Sequence, residues 1–183
     1  IKCAYPYGVA GLQGFLRQLE QELAVDFTAE LAELEAAAQR LAYRCADYLT
    51  NLYQLPVAVA ADKAHLAGMQ NFLTDELGMR VVLAEDTAGF TLDAMEQAVG
   101  EKKPVLLCGS SFLRALAEER QLPLLRFVYP LFDQICLTDN TLLGARGAAF
   151  IIEQLVNGAL QQNYKPDGLY SGLREGICEV RYA

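Results

Sequence analysis

The stretch Pro104-Val105-Leu106-Leu107-Cys108-Gly109-Ser110-Ser111 decides the fold, because a short apolar run leads directly into glycine, serine and a helical pattern. An apolar run without alternation is typical of a strand that is buried on both faces of a parallel sheet. The same kind of run recurs at Val57 to Ala60, Arg80 to Ala84 and Leu124 to Tyr129. Helical patterns separate these runs, and this alternation predicts right-handed βαβ crossovers and a parallel sheet.

Working outward from the strands, we predict helices where apolar residues recur at spacings of three and four. Those of the core are expected over Lys63 to Leu77, Thr91 to Val99, Ser111 to Arg120 and Leu142 to Gln162. Glycines at positions 78 and 100 stand where the first two of these helices would end.

The N-terminal part has its own pattern. A strand is predicted over Ile1 to Tyr5 and a helix over Val9 to Leu23. A long helix is then predicted from Thr28, as its N-cap, to about Gln54, where Pro56 prevents its continuation. Small and apolar residues lie on more than one face of this helix, so we expect it to contact another domain or, in the isolated chain, a second copy in a two-fold dimer.

We therefore expect an α/β fold, a Rossmann-like doubly wound and mostly parallel sheet with flanking helices and one long helix near the N-terminus. The expected division is into an N-terminal strand and helices including a long bridging helix (1–55), a Rossmann-like α/β core (56–162) and a C-terminal tail (163–183).

Composition excludes several classes of function. The chain has 183 residues, of which 53% are hydrophobic, so it can bury a core and is not disordered. Its net charge of -8 disfavours nucleic acid and anionic membranes as partners. No apolar run is long enough to span a bilayer, and the five cysteines are widely spaced, which indicates reduced thiols in a cytoplasmic protein. The first residue is not Met, which suggests a piece of a longer protein.

Candidate site residues follow the predicted strands, because ligands bind at the carboxyl ends of parallel strands. Asp62 could contact a ligand or only cap the next helix. Ser110 and Ser111 could bind an anion through the amides of a helix N-terminus, or could be ordinary caps. If the domain keeps a functional pocket, we expect it where Asp62, Ser110 and Asp133 converge.

The loop Tyr129 to Thr138 is the most unusual stretch, since it mixes aromatic residues with an acid, an amide and a thiol. Asp133 and Gln134 could supply polar groups to a cofactor, but the better interpretation of Asp133 is that it only caps or hydrogen-bonds its own loop. Cys136 is a candidate soft-metal ligand, but one thiolate is not a site and packing is the better interpretation. No catalytic constellation and no metal site follow from the residues alone.

Six motifs occur in an informative order. They are Pro6-Tyr7-Gly8-Val9 with Phe15-Leu16, the helix Glu30 to Tyr53, the segment Asp62 to Gly78, Cys108-Gly109-Ser110-Ser111, Arg126-Phe127-Val128-Tyr129-Pro130-Leu131-Phe132-Asp133, and Gly144-Ala145-Arg146-Gly147-Ala148. Together they resemble the C-terminal half of nitrogenase component 1-type oxidoreductase subunits, over about residues 1 to 160. The Phe-x-x-Pro-x-Phe-Asp stretch is more similar to β-type than to α-type subunits.

The resemblance implies a domain of an ATP-dependent reductase. It implies an iron-sulfur or related metal cluster in the full-length complex, held outside this part, and no cofactor in the fragment. It implies two partners, a homologous component 1-type subunit and an iron-sulfur ATP-dependent reductase. Leu143 stands where α-type nitrogenase subunits have a cofactor-binding histidine, so nitrogen-fixing activity does not carry over. Two alternatives stay open, a cluster-assembly scaffold of the same family and a stand-alone Rossmann-like binding module.

Overall fold

The computed structural model describes residues 3–89, 91–135 and 141–163. Four strands form one sheet, β1 (Pro56–Ala61), β2 (Arg80–Asp86), β3 (Leu106–Gly109) and β4 (Leu124–Arg126). The helices of this part are α1 (Gly8–Leu23), α2 (Thr28–Leu49), α3 (Lys63–Asn71), α4 (Leu92–Lys102), α5 (Arg114–Glu119) and α6 (Gly144–Asn163).

The sheet has the strand order β2-β1-β3-β4, and every pairing in it is parallel. Alternate residues of β1 enter two separate hydrophobic clusters, because successive side chains of a strand point to opposite faces. Val57 and Val59 belong to the cluster that α3 and α6 cover, and Ala58 and Ala60 to the cluster that α4 and α5 cover. We call these the α6 face and the α5 face. Helices on both faces of a parallel sheet confirm the Rossmann-like, doubly wound fold.

The α6 face carries a second layer of helices. Ile151 and Leu155 of α6 are fully buried against the sheet, while Leu41 and Cys45 of α2 pack against the same cluster from outside. Helix α6 also contacts α1, so it lies between the sheet and the two N-terminal helices. The predicted boundary at residue 55 stays a prediction, and residues 164–183 of the predicted tail lie outside the described residues.

Helix α1 is completed by a residue far away in sequence. Its N-cap, Tyr7, makes no side-chain cap, and the Glu76 carboxylate accepts from the N–H groups of Val9 at 2.9 Å and Ala10 at 3.1 Å. Burial raises the pKa of Glu76 despite these amides. Gly8 has φ +71, and a Cβ there would lie 2.1 Å from Glu76 Oε1, so only glycine fits.

Three details of the sequence prediction were wrong in the N-terminal part. Residues 3–6 form no strand, and the Tyr5 N–H donates to the Ala64 carbonyl of α3. Helix α2 ends at Leu49, and turns follow to residue 54. Thr28 is its first residue and not its cap, since the Asp26 side chain accepts from the Thr28 N–H.

The ends of two core helices also differ. Gly100 lies inside α4, which ends at Lys102 with Lys103 in the left-handed conformation, whereas Gly78 has the predicted positive φ of 65. The helix predicted to Leu77 is α-helical only to Asn71 and continues as a π-helical turn over Phe72–Glu76. That turn carries the Glu76 carboxylate to the start of α1.

Candidate functional site

The site lies at the carboxyl edge of β3 and β4. β3 ends at Gly109, directly before Ser110 and Ser111, and β4 ends at Arg126, before the loop that contains Asp133. Because the two strands are parallel neighbours, both ends face the same edge. A Cβ at Gly109 would lie 2.5 Å from Leu113 Cδ1 and 3.0 Å from the Ala60 carbonyl oxygen, so glycine permits this tight exit from β3.

A buried ion pair organises the edge. Arg126 Nε lies 2.8 Å from Asp133 Oδ1 and 3.0 Å from Oδ2, and Arg126 Nη2 donates to Oδ2 at 2.5 Å. The Asp133 side chain is only 2% exposed and that of Arg126 21%. The Arg126 hydrogen bonds, followed by the Ser111 hydrogen bond, lower the pKa of Asp133 to about 2. Fork-shaped pairing of this kind fixes geometry as well as charge.

Ser111 joins the ion pair to the backbone of the loop. Its hydroxyl donates to Asp133 Oδ1 and accepts from the Phe132 N–H at 3.1 Å. Its own N–H donates to the Pro130 carbonyl at 3.0 Å, directly after a cis Tyr129–Pro130 peptide. We call Ser111, Arg126 and Asp133 the carboxylate clamp. The clamp thus fixes the turn at residues 130–133 through hydrogen bonds to Pro130, Phe132 and Asp133.

The clamped loop presents apolar side chains to solvent. Tyr129 is 89% exposed, Ile135 83% and Phe132 65%. Phe112, from the turn after β3, is 61% exposed and packs edge-on against Phe132 with 5.9 Å between ring centroids. We call these four residues the apolar rim. Exposed apolar side chains on a fixed backbone are typical of a contact surface for another protein part.

The remaining candidates have mostly local partners. Ser110 is buried, and its hydroxyl accepts from the Phe112 N–H at 3.3 Å. Asp62 Oδ1 accepts from the Ala64 and His65 N–H groups at 3.2 and 3.3 Å, and Asp62 Oδ2 lies 2.5 Å from His65 Nδ1. Desolvation opposes its charged form, but the His65 and Ala64 hydrogen bonds lower the pKa of Asp62 overall.

The structure thus brings Ser111 and Asp133 into contact and places Ser110 beside them. The hydrogen bonds of Asp62 go to α3, and they include none to Ser110 or Asp133. Gln134 is exposed, and Cys136 lies outside the described residues. A cofactor role for these residues stays a prediction.

Sequence reasoning missed Arg126, the residue that pairs with Asp133. The available signal was a lone arginine at the end of an apolar strand, seven residues before an aspartate. A cation in that position needs a carboxylate when the strand end is buried. Arg114 also contributes, since its Nε donates to Glu118 at 2.7 Å and lies 3.9 Å from Asp133 Oδ2.

The sequence matches the family described as nitrogenase component 1 type oxidoreductase over residues 1–86 and 86–160. The chain belongs to this family. It is 26% identical to the nitrogenase molybdenum-iron protein beta chain of Methanothermobacter marburgensis, over 88% of this chain and 40% of that one. It is 28% identical to the corresponding beta chain of Frankia alni, over 88% of this chain and 35% of that one.

A nitrogenase vanadium-iron protein beta chain, from Trichormus variabilis, is 28% identical over 88% of this chain and 37% of its own length. The solved structure of nitrogenase Cp1 at pH 6.5 superimposes with a TM-score of 0.68 at 19% identity, over 87% of this chain and 40% of that one. The chain therefore spans about two fifths of the component 1-type relatives it matches.

The described residues of this family member offer no ligand set for a cluster. Over residues 3–89, 91–135 and 141–163, no three His, Cys, Asp or Glu side chains are grouped to hold a metal ion. Leu143, which forms isolated bridges to Tyr7 and Gly8, has an aliphatic side chain that cannot coordinate one. Within the same ranges, no helix has the length and apolar character needed to cross a membrane.

Proposed function

We propose that this chain is a domain of a component 1-type oxidoreductase subunit and that it supplies a contact surface, not metal ligands. The family match over residues 1–160 supports the class of protein. The share of its relatives that the chain spans, about two fifths, supports a role as part of a longer subunit.

The carboxylate clamp and the apolar rim are the observation on which the contact role rests. Ser111, Arg126 and Asp133 are hydrogen-bonded to one another, so these polar groups already have partners within the domain. The outward side chains of the same loop are apolar and exposed. A polar active site would show the reverse arrangement, with free polar groups lining a cleft.

For the whole protein, we propose the arrangement that the family class suggests. An iron-sulfur or related metal cluster would be held by other parts of the subunit and by a homologous component 1-type partner. An iron-sulfur, ATP-dependent reductase would supply electrons, and the complex would be cytoplasmic. The beta-chain names of several relatives support the partner proposal.

The test is anaerobic purification of the protein encoded by the complete reading frame, next to the present 183-residue chain. We expect iron and sulfide, a copurifying homologous subunit and ATP-dependent reduction only with the complete protein. The present chain is expected to be colourless, without stoichiometric iron. A complete protein without iron, partner or activity would contradict the proposal and favour a stand-alone Rossmann-like module. Iron without turnover would favour an assembly scaffold.

A variant of the rim examines the contact role within that complex. Phe132→Ser together with Ile135→Ser should weaken association with the rest of the complex while the domain stays folded. Tyr53→Ser is the matched control, since Tyr53 is 67% exposed and lies in the turn before β1, at the edge of the sheet opposite the rim. Unchanged assembly in the rim variant would refute the assignment of this surface.

A further inference from the structure

The outer edge of β4 is open. The Pro123 carbonyl accepts from the Leu107 N–H, and the Phe127 N–H donates to the Gly109 carbonyl, so these groups face β3. Because backbone groups alternate along a strand, the N–H groups of Leu124 and Arg126 face away from β3. Within the described ranges no strand lies beyond β4. The Leu124 carbonyl on the same side accepts from Arg126 Nη1 at 3.4 Å, so the outward N–H groups are the part of this edge that offers a template for a further strand.

A groove of about 410 Å³ runs along this edge. Ala117 of α5 and Gln161 near the end of α6 line it, together with the charged residues Arg114, Glu118 and Arg126. Its apolar lining includes Leu122, Pro123 and Leu124, which we call the floor. The three floor residues are half-buried, so an added strand could cover the apolar surface that β3 and the helices leave exposed. The groove thus has the position and the apolar floor that a fifth strand needs.

The chain itself carries a matching segment. Helix α6 ends at Asn163, beside the groove that Gln161 lines, and residues 164–183 follow it. The segment Cys178-Glu179-Val180-Arg181-Tyr182 alternates strictly between apolar and charged residues, the pattern of a half-buried strand. Residues 164–177 can span up to about 46 Å when extended, enough to reach either end of β4. The family match ends at residue 160, so this segment lies beyond it.

We propose that Cys178–Tyr182 pairs with the open edge of β4 as a fifth strand, antiparallel to β4. Handedness decides the direction. α3 and α5 lie on opposite faces and connect strands in opposite directions across the sheet, so both connections have the same hand. A parallel strand beyond β4 would be reached through α6, on the face opposite α5, and its connection would have the disfavoured left hand. The rule does not restrict an antiparallel strand.

Disulfide trapping tests the pairing in the full 183-residue chain. In a background with Cys3→Ser, Cys45→Ser, Cys136→Ser and Cys178→Ser, Leu124→Cys should form an intramolecular disulfide with Val180→Cys in most molecules under mild oxidation. Val82→Cys is the matched control, since Val82 lies in β2 at the opposite edge and is also half-buried. Equal trapping at both edges, no trapping, or trapping only between two chains would overturn the proposal.

The direction has its own readout. With Leu122→Cys as the fixed partner, Tyr182→Cys in a chain that also carries Cys178→Ser should crosslink more completely than native Cys178. The reverse preference would overturn the antiparallel assignment.

Hydrogen exchange provides a measurement without added cysteines. Truncation after Asn163 should speed exchange at the Leu124 and Arg126 amides by about tenfold, the loss of one ordinary hydrogen bond each. Val180→Asp in the full chain should have the same effect, and it keeps the test valid if the truncated chain does not fold. Glu179→Gln, on the other side of the predicted strand, should leave both amides protected. Unchanged exchange in the Val180→Asp chain would overturn the proposal.

Discussion

Two acidic residues follow strands of the same sheet, and their surroundings differ. Asp62 follows β1 with a side chain that is 56% exposed, and its partners are residues of the next helix turn. Asp133 lies in the loop after β4 with a side chain that is 2% exposed, and its partners are Arg126 and Ser111, 7 and 22 residues away. Position after a strand therefore does not tell a local helix cap from a long-range tether.

The largest expected effect on stability comes from neutralising Asp133, and the same change at Asp62 is the comparison. Asp133→Asn removes the charge that Arg126 faces in the interior and should lower the melting temperature strongly. Asp62→Asn should change the free energy of unfolding by no more than about 0.5 kcal/mol, because asparagine caps a helix as well as aspartate does. Thermal and urea melts of both variants measure the two losses in stability. Equal losses would remove the distinction between the two sites.

The two adjacent serines sharpen the comparison, with smaller expected losses in the free energy of unfolding. Ser111→Ala removes the hydroxyl that links Asp133 to the Phe132 N–H, so it should destabilise the chain by about 1 to 3 kcal/mol. Ser110→Ala removes one local hydrogen bond and should cost about 0.5 to 1 kcal/mol. Urea midpoints give both values. A larger loss at Ser110 would mean that the cap, and not the clamp, holds this edge.

Acid should release the clamp. The pKa of Asp133 lies at about 2 in the folded chain, below its ordinary value of 3.8, so the unfolded chain binds this proton more readily. The contribution of Asp133 is therefore present above about pH 4 and is lost as the pH falls towards 2. Urea unfolding at stepped pH should show this loss, and the Asp133→Asn chain should lack that component. An identical acid profile in both chains would contradict the assignment.

The apolar rim should affect stability least. Phe132→Ser and Ile135→Ser change exposed side chains, so we expect shifts within about 0.5 kcal/mol, far below those at the buried clamp. Self-association of the isolated chain, followed by sedimentation at increasing concentration, should weaken in the double variant. A double variant that unfolds early would show that the rim supports its own domain.

Local signals in the sequence were enough for most of the fold. The apolar runs at β1 and β3 are buried on both faces, and the left-handed Gly78 ends its helix region as expected. The prediction failed where competition between distant segments decides. The apolar start of the chain has the composition of a strand, but the Tyr5 N–H is paired with the Ala64 carbonyl of α3 and not with a strand.

The candidate site could be predicted only in part for the same reason. Asp133, Ser110 and Ser111 were found because polar residues after strands mark the carboxyl edge of a sheet. The pairing of Arg126 with Asp133 depends on how the loop folds back, and the spacing of the two residues does not determine that fold. Asp62 caps α3, as its position directly before a predicted helix had also indicated.

The Glu76 cap has a consequence for how the protein is made on the ribosome. Helix α1 emerges before β1 and α3, and the carboxylate that completes its N-terminus arrives 67 residues after Val9. Until then its first amides have only water as partner, and a lone helix of this length is marginal. We expect helix α1 not to form stably during translation until β1, α3 and the turn that carries Glu76 have emerged. The order of synthesis and the order of folding are thus opposite in this part of the chain.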